Sequence, residues 1–351
     1  MSTPTWRAEY AGLEIYRRTG RAAPLDLSDN TNRFGAAPSA LGALAAWPAA
    51  AAARYPTPGN EALRAALADW CGVPPDAIVT GCGSNDVLDA GFRALGRPGG
   101  LAAVSVPTFV MAPHFAVANG ARVVPVPARP DGAPDVDSLL AVGADVTYLA
   151  SPDNPSGVAA DAAALGRLFD RARGFVILDE AYIEFGGGSG AAEAVGRGNV
   201  LVTRTFSKAW GLAGLRVGYG IGAPRLVEEV EKARGPFKVN AVAEAAAAAA
   251  VRGDRVWLDD VVAQTRAGRA RLTAGLDALG YEALPSAANF VSARVPDAAA
   301  VTAALDASGI GVRGFSRLPV LGDVIRITVG PDAEIDALLA AVRTIPAGVV
   351  R

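Results

Sequence analysis

The chain has 351 residues, of which 51% are apolar and 19% are charged, and its formal net charge is −2. A chain of this composition can bury a sizeable core, and its length suits two lobes that fold as one unit. The near-neutral charge excludes the broad basic surface that would bind nucleic acid or an anionic membrane. The sequence has no run of about 18 uninterrupted apolar residues, so we predict no membrane-spanning helix.

Cysteine and histidine are scarce in this chain. Cys71, Cys82 and His114 are the only residues of these two types. A structural zinc site usually takes four such ligands, so we predict no metal site. Residues 1–10 lack the apolar stretch of a secretory signal. Two cysteines without such a segment favour free thiols in a cytoplasmic protein.

The first two-thirds of the sequence alternates helical patterns with short apolar runs. After an N-terminal arm (residues 1–35), residues 36–53 predict a helix with a loop, and residues 61–71 predict an amphipathic helix. The apolar runs predict seven strands, at residues 77–80, 101–106, 121–126, 145–150, 175–178, 200–203 and 217–221. Helical patterns lie between most of these runs. Apolar strands separated by helices indicate an α/β domain (residues 36–240) with a mostly parallel seven-stranded sheet.

The pattern changes after residue 240. Helices are predicted at residues 245–250, 254–279 and 298–308, with a closing helix from residue 333. Strands are predicted at residues 289–295, 311–313 and 324–329. Sequential strands with helices packed on one side indicate an α+β arrangement, so we predict a smaller C-terminal domain over residues 241–351.

Four polar motifs follow strands of the predicted sheet. They are Gly81-Cys82-Gly83-Ser84-Asn85, Ser151-Pro152-Asp153-Asn154-Pro155-Ser156-Gly157, Asp179-Glu180-Ala181-Tyr182 and Thr205-Phe206-Ser207-Lys208. Open α/β sheets bind ligands beyond the carboxyl ends of their strands. The four motifs therefore predict a single site at that edge.

The glycine-rich turn is the candidate phosphate site. A turn that opens a helix presents backbone N–H groups and the positive end of the helix dipole to an anion. A plain tight turn remains open as an alternative. A dinucleotide site needs a third small residue at the position of Asp86, so the turn favours a phosphate without a dinucleotide.

Asp179 and Lys208 are the candidate reactive groups. Asp179 ends an apolar strand, where it could cap the next helix or bind a protonated pyridine nitrogen. Lysine occurs only at Lys208, Lys232 and Lys238. A lysine beside a desolvated, cationic site has a lowered pKa and becomes an amine nucleophile.

The segment from Thr205 to Gly218, Thr-Phe-Ser-Lys-Ala-Trp-Gly-Leu-Ala-Gly-Leu-Arg-Val-Gly, resembles the lysine segment of fold-type I aminotransferases. Within that family it is most similar to the histidinol-phosphate aminotransferase subfamily. The resemblance runs from about residue 25 to residue 342. Its other motifs are Arg54-Tyr55-Pro56, Pro107-Thr108-Phe109, Asn154-Pro155-Ser156-Gly157, Asp179-Glu180-Ala181-Tyr182, Asn289-Phe290-Val291 and Arg326-Ile327-Thr328-Val329-Gly330.

The resemblance implies pyridoxal 5'-phosphate (PLP) as cofactor. Lys208 would hold it as a Schiff base and move the proton during catalysis, and Asp179 would bind the pyridine nitrogen. Asn154 and Tyr182 would bind the ring hydroxyl oxygen. The remaining cofactor contacts would be Phe109 on the ring face, and Ser84, Asn85, Ser207 and Arg216 on the phosphate. Tyr55 would reach the phosphate from a neighbouring subunit, which implies a homodimer with a shared active site. Phe109 as a core aromatic and Tyr55 as a surface residue remain open.

The resemblance also implies how substrates bind. Arg326 would grip the anionic group of the amino donor or 2-oxo acid, with Arg313 beside it or else solvated. Tyr16 and Asn32 would complete the substrate site. The loop Asn30-Thr31-Asn32-Arg33-Phe34-Gly35 departs from the subfamily pattern Asn-Glu-Asn-Pro-Tyr-Gly. Thr31 and Arg33 therefore bear on substrate choice.

The implied reaction converts histidinol phosphate and 2-oxoglutarate to imidazole acetol phosphate and glutamate, a step of histidine biosynthesis. Three alternatives remain on the same scaffold. The protein could be an aromatic or other amino-acid aminotransferase, a threonine-phosphate decarboxylase, or a PLP-binding module without turnover.

Overall fold

The computed structural model describes residues 7–16 and 23–345. After a two-residue strand, β1 (Leu25–Asp26), the next seven strands form one sheet: β2 (Ile78–Cys82), β3 (Leu101–Val106), β4 (Arg122–Pro127), β5 (Val146–Ala150), β6 (Phe175–Asp179), β7 (Val200–Thr205) and β8 (Val217–Ile221). Their order is β2-β8-β7-β6-β5-β3-β4. Within this sheet β8 runs antiparallel to the other six strands. The predicted α/β fold with a mostly parallel seven-stranded sheet is confirmed.

Strand β2 is longer than the sequence indicated. It was expected to end at Thr80 and continues to Cys82, because Gly81 and Cys82 pair with Gly218 and Val217 of β8. The glycine-rich turn is therefore partly strand, and the helix that follows begins directly after Gly83.

Nine helices pack against this sheet in the described part of the chain: α1 (Pro38–Ala45), α2 (Glu61–Cys71), α3 (Ser84–Leu95), α4 (Met111–Ala118), α5 (Val136–Ala141), α6 (Ala162–Arg171), α7 (Ala191–Gly196), α8 (Pro224–Arg234) and α9 (Ala241–Gly253). Helix α6 illustrates how the local sequence forms these helices, through a capping residue and an apolar face. The Asp161 side chain accepts a hydrogen bond from the Ala164 backbone N–H at 2.6 Å, which caps the helix. Leu165, Leu168 and Phe169 then form its buried face.

The C-terminal part comprises α10 (Arg255–Ala278), β9 (Glu282–Ala283), β10 (Phe290–Arg294), α11 (Ala298–Ala307), β11 (Ile310–Gly311), β12 (Arg313–Leu318), β13 (Gly322–Thr328) and α12 (Asp332–Arg343). An antiparallel sheet has the order β12-β13-β10-β9, and β11 pairs with β1. The single strand predicted at residues 311–313 is two strands, because β12 continues beside β13 as far as Leu318. No described helix is long and apolar enough to cross a membrane.

The packing of α9 bears on the predicted domain boundary at residue 241. Ala246 and Ala247 of α9 are fully buried in the same hydrophobic core as Val217 and Tyr219 of the large sheet. Further along, Leu272 of α10 belongs to a second core, formed with the C-terminal sheet. The boundary stays a prediction, and this packing favours a position within α10. The predicted arm also contributes to the second core, through Leu27.

The strand order fixes where polar side chains can meet. The carboxyl ends of β2, β3, β5, β6 and β7 lie at one edge, and the antiparallel β8 begins there. In register, Asp179 at the end of β6 lies beside Ala150 of β5 and Thr203 of β7. Chain segments that are remote in sequence therefore converge at this edge.

We expect Asp254→Ala to lower the free energy of unfolding by about 2 kcal/mol, because charged hydrogen bonds contribute about this much. Asp254 is 6% exposed and accepts hydrogen bonds from the Ser39 backbone N–H at 2.8 Å and the Ser39 hydroxyl at 2.7 Å, which ties α10 to the first turn of α1. Urea unfolding measures the change as a lower midpoint at unchanged slope. The control, Asp259→Ala, removes only an exposed 3.9 Å ion pair with Arg255. Equal shifts in both variants would contradict the expectation.

Candidate active site

A cavity of about 640 Å³ lies at the carboxyl edge of the large sheet and is bounded on its far side by β12 and β13. Every residue predicted for the site lines it except Tyr55 and Asn32. The lining residues from the prediction are Ser84, Asn85, Phe109, Asn154, Asp179, Tyr182, Ser207, Lys208, Arg216, Arg313, Arg326 and Tyr16. The fold thus brings together side chains from the large sheet, the C-terminal sheet and the N-terminal segment.

Tyr55 and Asn32 lie outside this cavity. Tyr55 is 85% exposed, and its ring centroid is 5.0 Å from that of Phe237. The Asn32 side chain donates to the Ala209 carbonyl at 2.9 Å and accepts from the Phe34 N–H at 2.8 Å. Both ends of the Asn32 amide are therefore engaged within the protein, and its role in substrate binding stays a prediction.

One end of the cavity is a cradle formed by Gly83, Ser84, Ser207 and Arg216. Helix α3 begins at Ser84, and the preceding Gly83 has φ +75° and no side chain to cap the helix. The Arg216 guanidinium lies against Gly83, where a Cβ would overlap it, and donates to the Ser207 hydroxyl at 3.3 Å. A Cβ on Gly218 would overlap the backbone nitrogen of Ser84. Two glycines thus allow a guanidinium and a helix N-terminus to approach one point, which suits a phosphate.

Asp179 is a buried carboxylate without a cationic partner. It is 4% exposed and accepts hydrogen bonds from the Tyr148 hydroxyl at 3.0 Å and from the Thr203 hydroxyl at 3.2 Å. Burial raises its pKa to about 6 in spite of these bonds. It forms no ion pair with any described residue. A cationic ligand group at this position would remove the cost of burying its charge.

The alternative role for Asp179, capping the next helix, has no support in the geometry. The short 3₁₀ helix that follows, Ile183–Phe185, receives no side-chain cap. The only local hydrogen bond of Asp179 is a turn bond accepted from the Ala181 N–H at 3.2 Å. Its carboxylate is therefore free to face a ligand.

Lys208 is a half-buried amine directed into the cavity. Its Nζ donates to the Asp29 carbonyl at 3.2 Å and lies 5.6 Å from the centroid of the Tyr182 ring. Burial, reinforced by the charge of Arg326, lowers its pKa to about 8. Lys232 and Lys238 are exposed and form ion pairs on the surface. Lys208 is thus the lysine suited to act as a nucleophile.

Arg326 and Arg313 lie on the opposite wall. Arg326 is 7% exposed, donates to the Ser28 carbonyl at 2.6 Å and contacts the Asn154 side chain. Its Nε is buried without a partner among the described residues. The Phe315 ring lies 5.5 Å from the Arg326 guanidinium and 5.6 Å from that of Arg313. Two guanidinium groups facing one cavity suit an oxyanion.

Several site residues were not identified from the sequence. Tyr148 and Thr203 hold Asp179, and their signal was a polar side chain within an otherwise apolar strand. Thr108 also lines the cavity and donates to Asp153 at 2.6 Å. Asn30 is buried and donates to the Tyr182 hydroxyl at 3.0 Å. That contact spans two distant segments, so no local pattern indicates it.

We expect Asp179→Asn to stabilise the cofactor-free protein above pH 6. The folded state raises the pKa of Asp179 from 3.8 to about 6, so it holds this proton more tightly than the unfolded state. The wild-type unfolding free energy therefore falls as pH rises between these values, by up to about 3 kcal/mol, and the Asn variant lacks this fall. Urea unfolding from pH 4 to pH 8 measures the difference. In the control, Asp306→Asn on the exposed surface of α11, the unfolding free energy should depend on pH as in the wild type. If the unfolding free energy of Asp179→Asn also followed the wild-type dependence on pH, the expectation would be refuted.

Comparison with known proteins agrees on the family of this chain. The family described as aminotransferase class I and II matches residues 23–342. A histidinol-phosphate aminotransferase of Roseiflexus castenholzii is 38% identical over 96% of this chain and 92% of that protein. An aromatic amino acid aminotransferase of Rhodococcus jostii is 39% identical over 96% of this chain and 95% of that protein.

A solved structure extends the agreement to the whole fold. The histidinol-phosphate aminotransferase of Sinorhizobium meliloti, determined in complex with pyridoxal-5'-phosphate, superposes with a TM-score of 0.88 at 30% identity over 98% of both chains. The fold-type I assignment is therefore confirmed. Since the family match spans most of the sequence, this chain belongs to the aminotransferase class I and II family.

Proposed function

We propose that this aminotransferase uses PLP to exchange amino groups between histidinol phosphate and 2-oxoglutarate, within histidine biosynthesis. The observation that carries the proposal is the arrangement of one cavity. A nucleophilic lysine, Lys208, and an uncompensated buried carboxylate, Asp179, share it with a pair of guanidinium groups, Arg326 and Arg313. Amine chemistry and the binding of anionic substrates thus meet in one place.

The residues present fit the cofactor. The cradle of Gly83, Ser84, Ser207 and Arg216 would hold its phosphate, with the start of α3 completing the anion site. Asp179 would bind the ring nitrogen, and its buried charge would gain the cationic partner that the described residues do not supply. Further contacts would come from Asn85 at the phosphate, from Asn154 and Tyr182 at the ring hydroxyl oxygen, and from Phe109 on the ring face. When bound, PLP supplies an electron sink for negative charge at the substrate carbon.

The side chains of the protein would carry out the proton transfer. With its pKa lowered to about 8, a useful fraction of Lys208 is the neutral amine near neutral pH. Its Nζ would take the proton from the amine-bearing carbon of the substrate as a general base. Asp179 would keep the ring nitrogen protonated, because an ionised carboxylate favours the cationic form.

The guanidinium pair would select the substrates. A planar guanidinium binds carboxylate or phosphate oxygens in two places, so Arg326 and Arg313 suit the carboxylates of glutamate and 2-oxoglutarate. The same pair suits the phosphate dianion of histidinol phosphate. The buried, unpartnered Nε of Arg326 offers a donor whose desolvation cost an oxyanion would offset. Tyr16 lines the same cavity.

An aromatic amino-acid aminotransferase is the second candidate. The Rhodococcus jostii protein, which carries that name, is 39% identical to this chain. Phe315, Phe109 and Tyr16 give the cavity an apolar surface that would accept an aromatic side chain. The two candidates differ in whether a phosphate improves the amino donor.

The proposal includes a homodimer in the cytoplasm. Tyr55 is 85% exposed and lies away from the cavity of its own chain, so it would be free to reach the phosphate of a second copy. Stacking with Phe237 forms an exposed aromatic pair that an interface would cover.

Cys71 and Cys82 are both free thiols, in keeping with a reducing compartment.

We expect Lys208→Ala to lose nearly all turnover, because the lysine both holds the cofactor and moves the proton. Borohydride reduction of the PLP-loaded wild type, followed by peptide mapping, should place the label on Lys208. Lys232→Ala is the matched control and should retain wild-type turnover. Label on Lys232 or Lys238 would overturn the assignment.

We expect Arg326→Ala to raise the apparent KM for glutamate by about one to two orders of magnitude, the cost of a charged contact. Arg313→Ala should weaken histidinol phosphate more than glutamate, because a phosphate dianion can engage both guanidinium groups. Initial rates with each donor measure the two effects, and Arg317→Ala on the exposed end of β12 is the control. If phenylalanine equals histidinol phosphate as a donor in the wild type, the aromatic aminotransferase is favoured instead.

A further inference from the structure

We propose that Asn30 is a positioning residue that directs the hydroxyl proton of Tyr182 into the cavity. The inference rests on the proposed function, since Tyr182 is there assigned to the ring hydroxyl oxygen of PLP. Asn30 is 1% exposed and lies in the segment between β1 and α1. Its Nδ2 is 3.0 Å from the Tyr182 hydroxyl oxygen.

The neighbouring Thr328 fixes which way the Asn30 amide faces. The Thr328 hydroxyl oxygen accepts a hydrogen bond from the Asn30 backbone N–H at 3.0 Å. Its own proton is then available to the Asn30 Oδ1, at 3.3 Å. The carbonyl side of the amide therefore faces Thr328, and the NH₂ side faces Tyr182. The Asn289 amide donates to the Asn30 carbonyl at 3.1 Å and holds the backbone in place.

This orientation determines where the tyrosine proton goes. A phenol has a single proton to donate, and Asn30 presents a donor, so the Tyr182 oxygen must accept from it. The ring cannot turn away, because Tyr182 is 5% exposed and packs edge-on against Phe290 at 5.3 Å. The hydroxyl forms no other hydrogen bond within the described residues. Its proton is left for a ligand in the cavity.

Asparagine meets two requirements at position 30: a left-handed backbone and a side-chain donor for the Tyr182 oxygen. The backbone there is left-handed, with φ 58°, a conformation that asparagine, aspartate and glycine adopt most readily. Aspartate has no donor for the tyrosine oxygen, and glycine has no side chain. Either substitution therefore removes the amide donor without straining the backbone.

The direction of this proton has a measurable consequence. The ring oxygen of bound PLP carries more negative charge after the cofactor has lost its proton. A hydrogen bond donated to this oxygen therefore stabilises the deprotonated form and lowers the pH at which the bound cofactor loses its proton. Turning the Tyr182 proton away should raise that pH.

The experiment is a pH titration of the absorbance of bound PLP in the resting enzyme, which requires no turnover. We expect the absorbance midpoint to rise by about one pH unit in Asn30→Asp, where Tyr182 would donate to the new carboxylate, and by less in Asn30→Gly. Tyr182→Phe should raise the midpoint as well, and adding Asn30→Gly to it should cause no further shift. The control is Asn199→Ala, which removes a 3.4 Å amide contact with Gly174 at the opposite end of the sheet and should leave the midpoint unchanged.

The outcomes separate this inference from the proposed function. A wild type that binds no PLP, or a Tyr182→Phe midpoint equal to that of wild type, would contradict the assigned site itself. Suppose that Tyr182→Phe raises the midpoint as expected, but that Asn30→Gly shifts the midpoint equally in the wild type and in the Tyr182→Phe variant. Only the role of Asn30 would then be overturned. If the Asn30 variants do not fold, Thr328→Val should raise the midpoint, whereas Thr328→Ser, which keeps the hydroxyl, should not.

Discussion

The buried carboxylate of Asp179 is the constraint around which the site is built. It ends a strand that is covered on both faces, where an ionised group without a cation costs free energy. Three neutral hydrogen bonds reduce this cost only in part, because the pKa remains raised to about 6. Helix packing on both sides of the sheet excludes water from this position, and the parallel strand order brings the other polar loops to the same edge. The fold therefore creates both the cost of this charge and the place where a cationic ligand group offsets it.

Positive charge on the other walls of the cavity completes the electrostatics. Lys208, Arg216, Arg313 and Arg326 all line it, and their mutual repulsion is relieved when anions bind. The same repulsion, added to burial, lowers the pKa of Lys208. One distribution of charge thus favours two properties together: a neutral amine near physiological pH, and affinity for phosphate or carboxylate.

The sequence predicts the parts of this arrangement that depend on local patterns. Apolar runs identify the seven strands, and the rule that ligands bind at carboxyl ends places Asp179 and Lys208 together before any register is known. Tyr148 and Thr203 were missed because their role depends on strand register, which brings them beside Asp179. Asn30 was missed because its contact with Tyr182 joins segments that no periodicity connects. A run of alanines fits any tight helix interface equally well, so the sequence does not show which sheet α9 packs against.

The loop that departs from the subfamily pattern is held by an ion pair to α12. Arg33, at the position of the expected proline, forms a two-pronged contact with Glu334 of α12, with Nε–Oε2 at 2.9 Å and Nη2–Oε1 at 2.5 Å. An ion pair thereby restrains a loop that a proline ring would otherwise stiffen. Thr31, in place of the expected glutamate, donates its hydroxyl to Asp29 at 2.9 Å and removes one negative charge from the cavity wall. The two departing positions therefore hold their loop through contacts with Asp29 and Glu334.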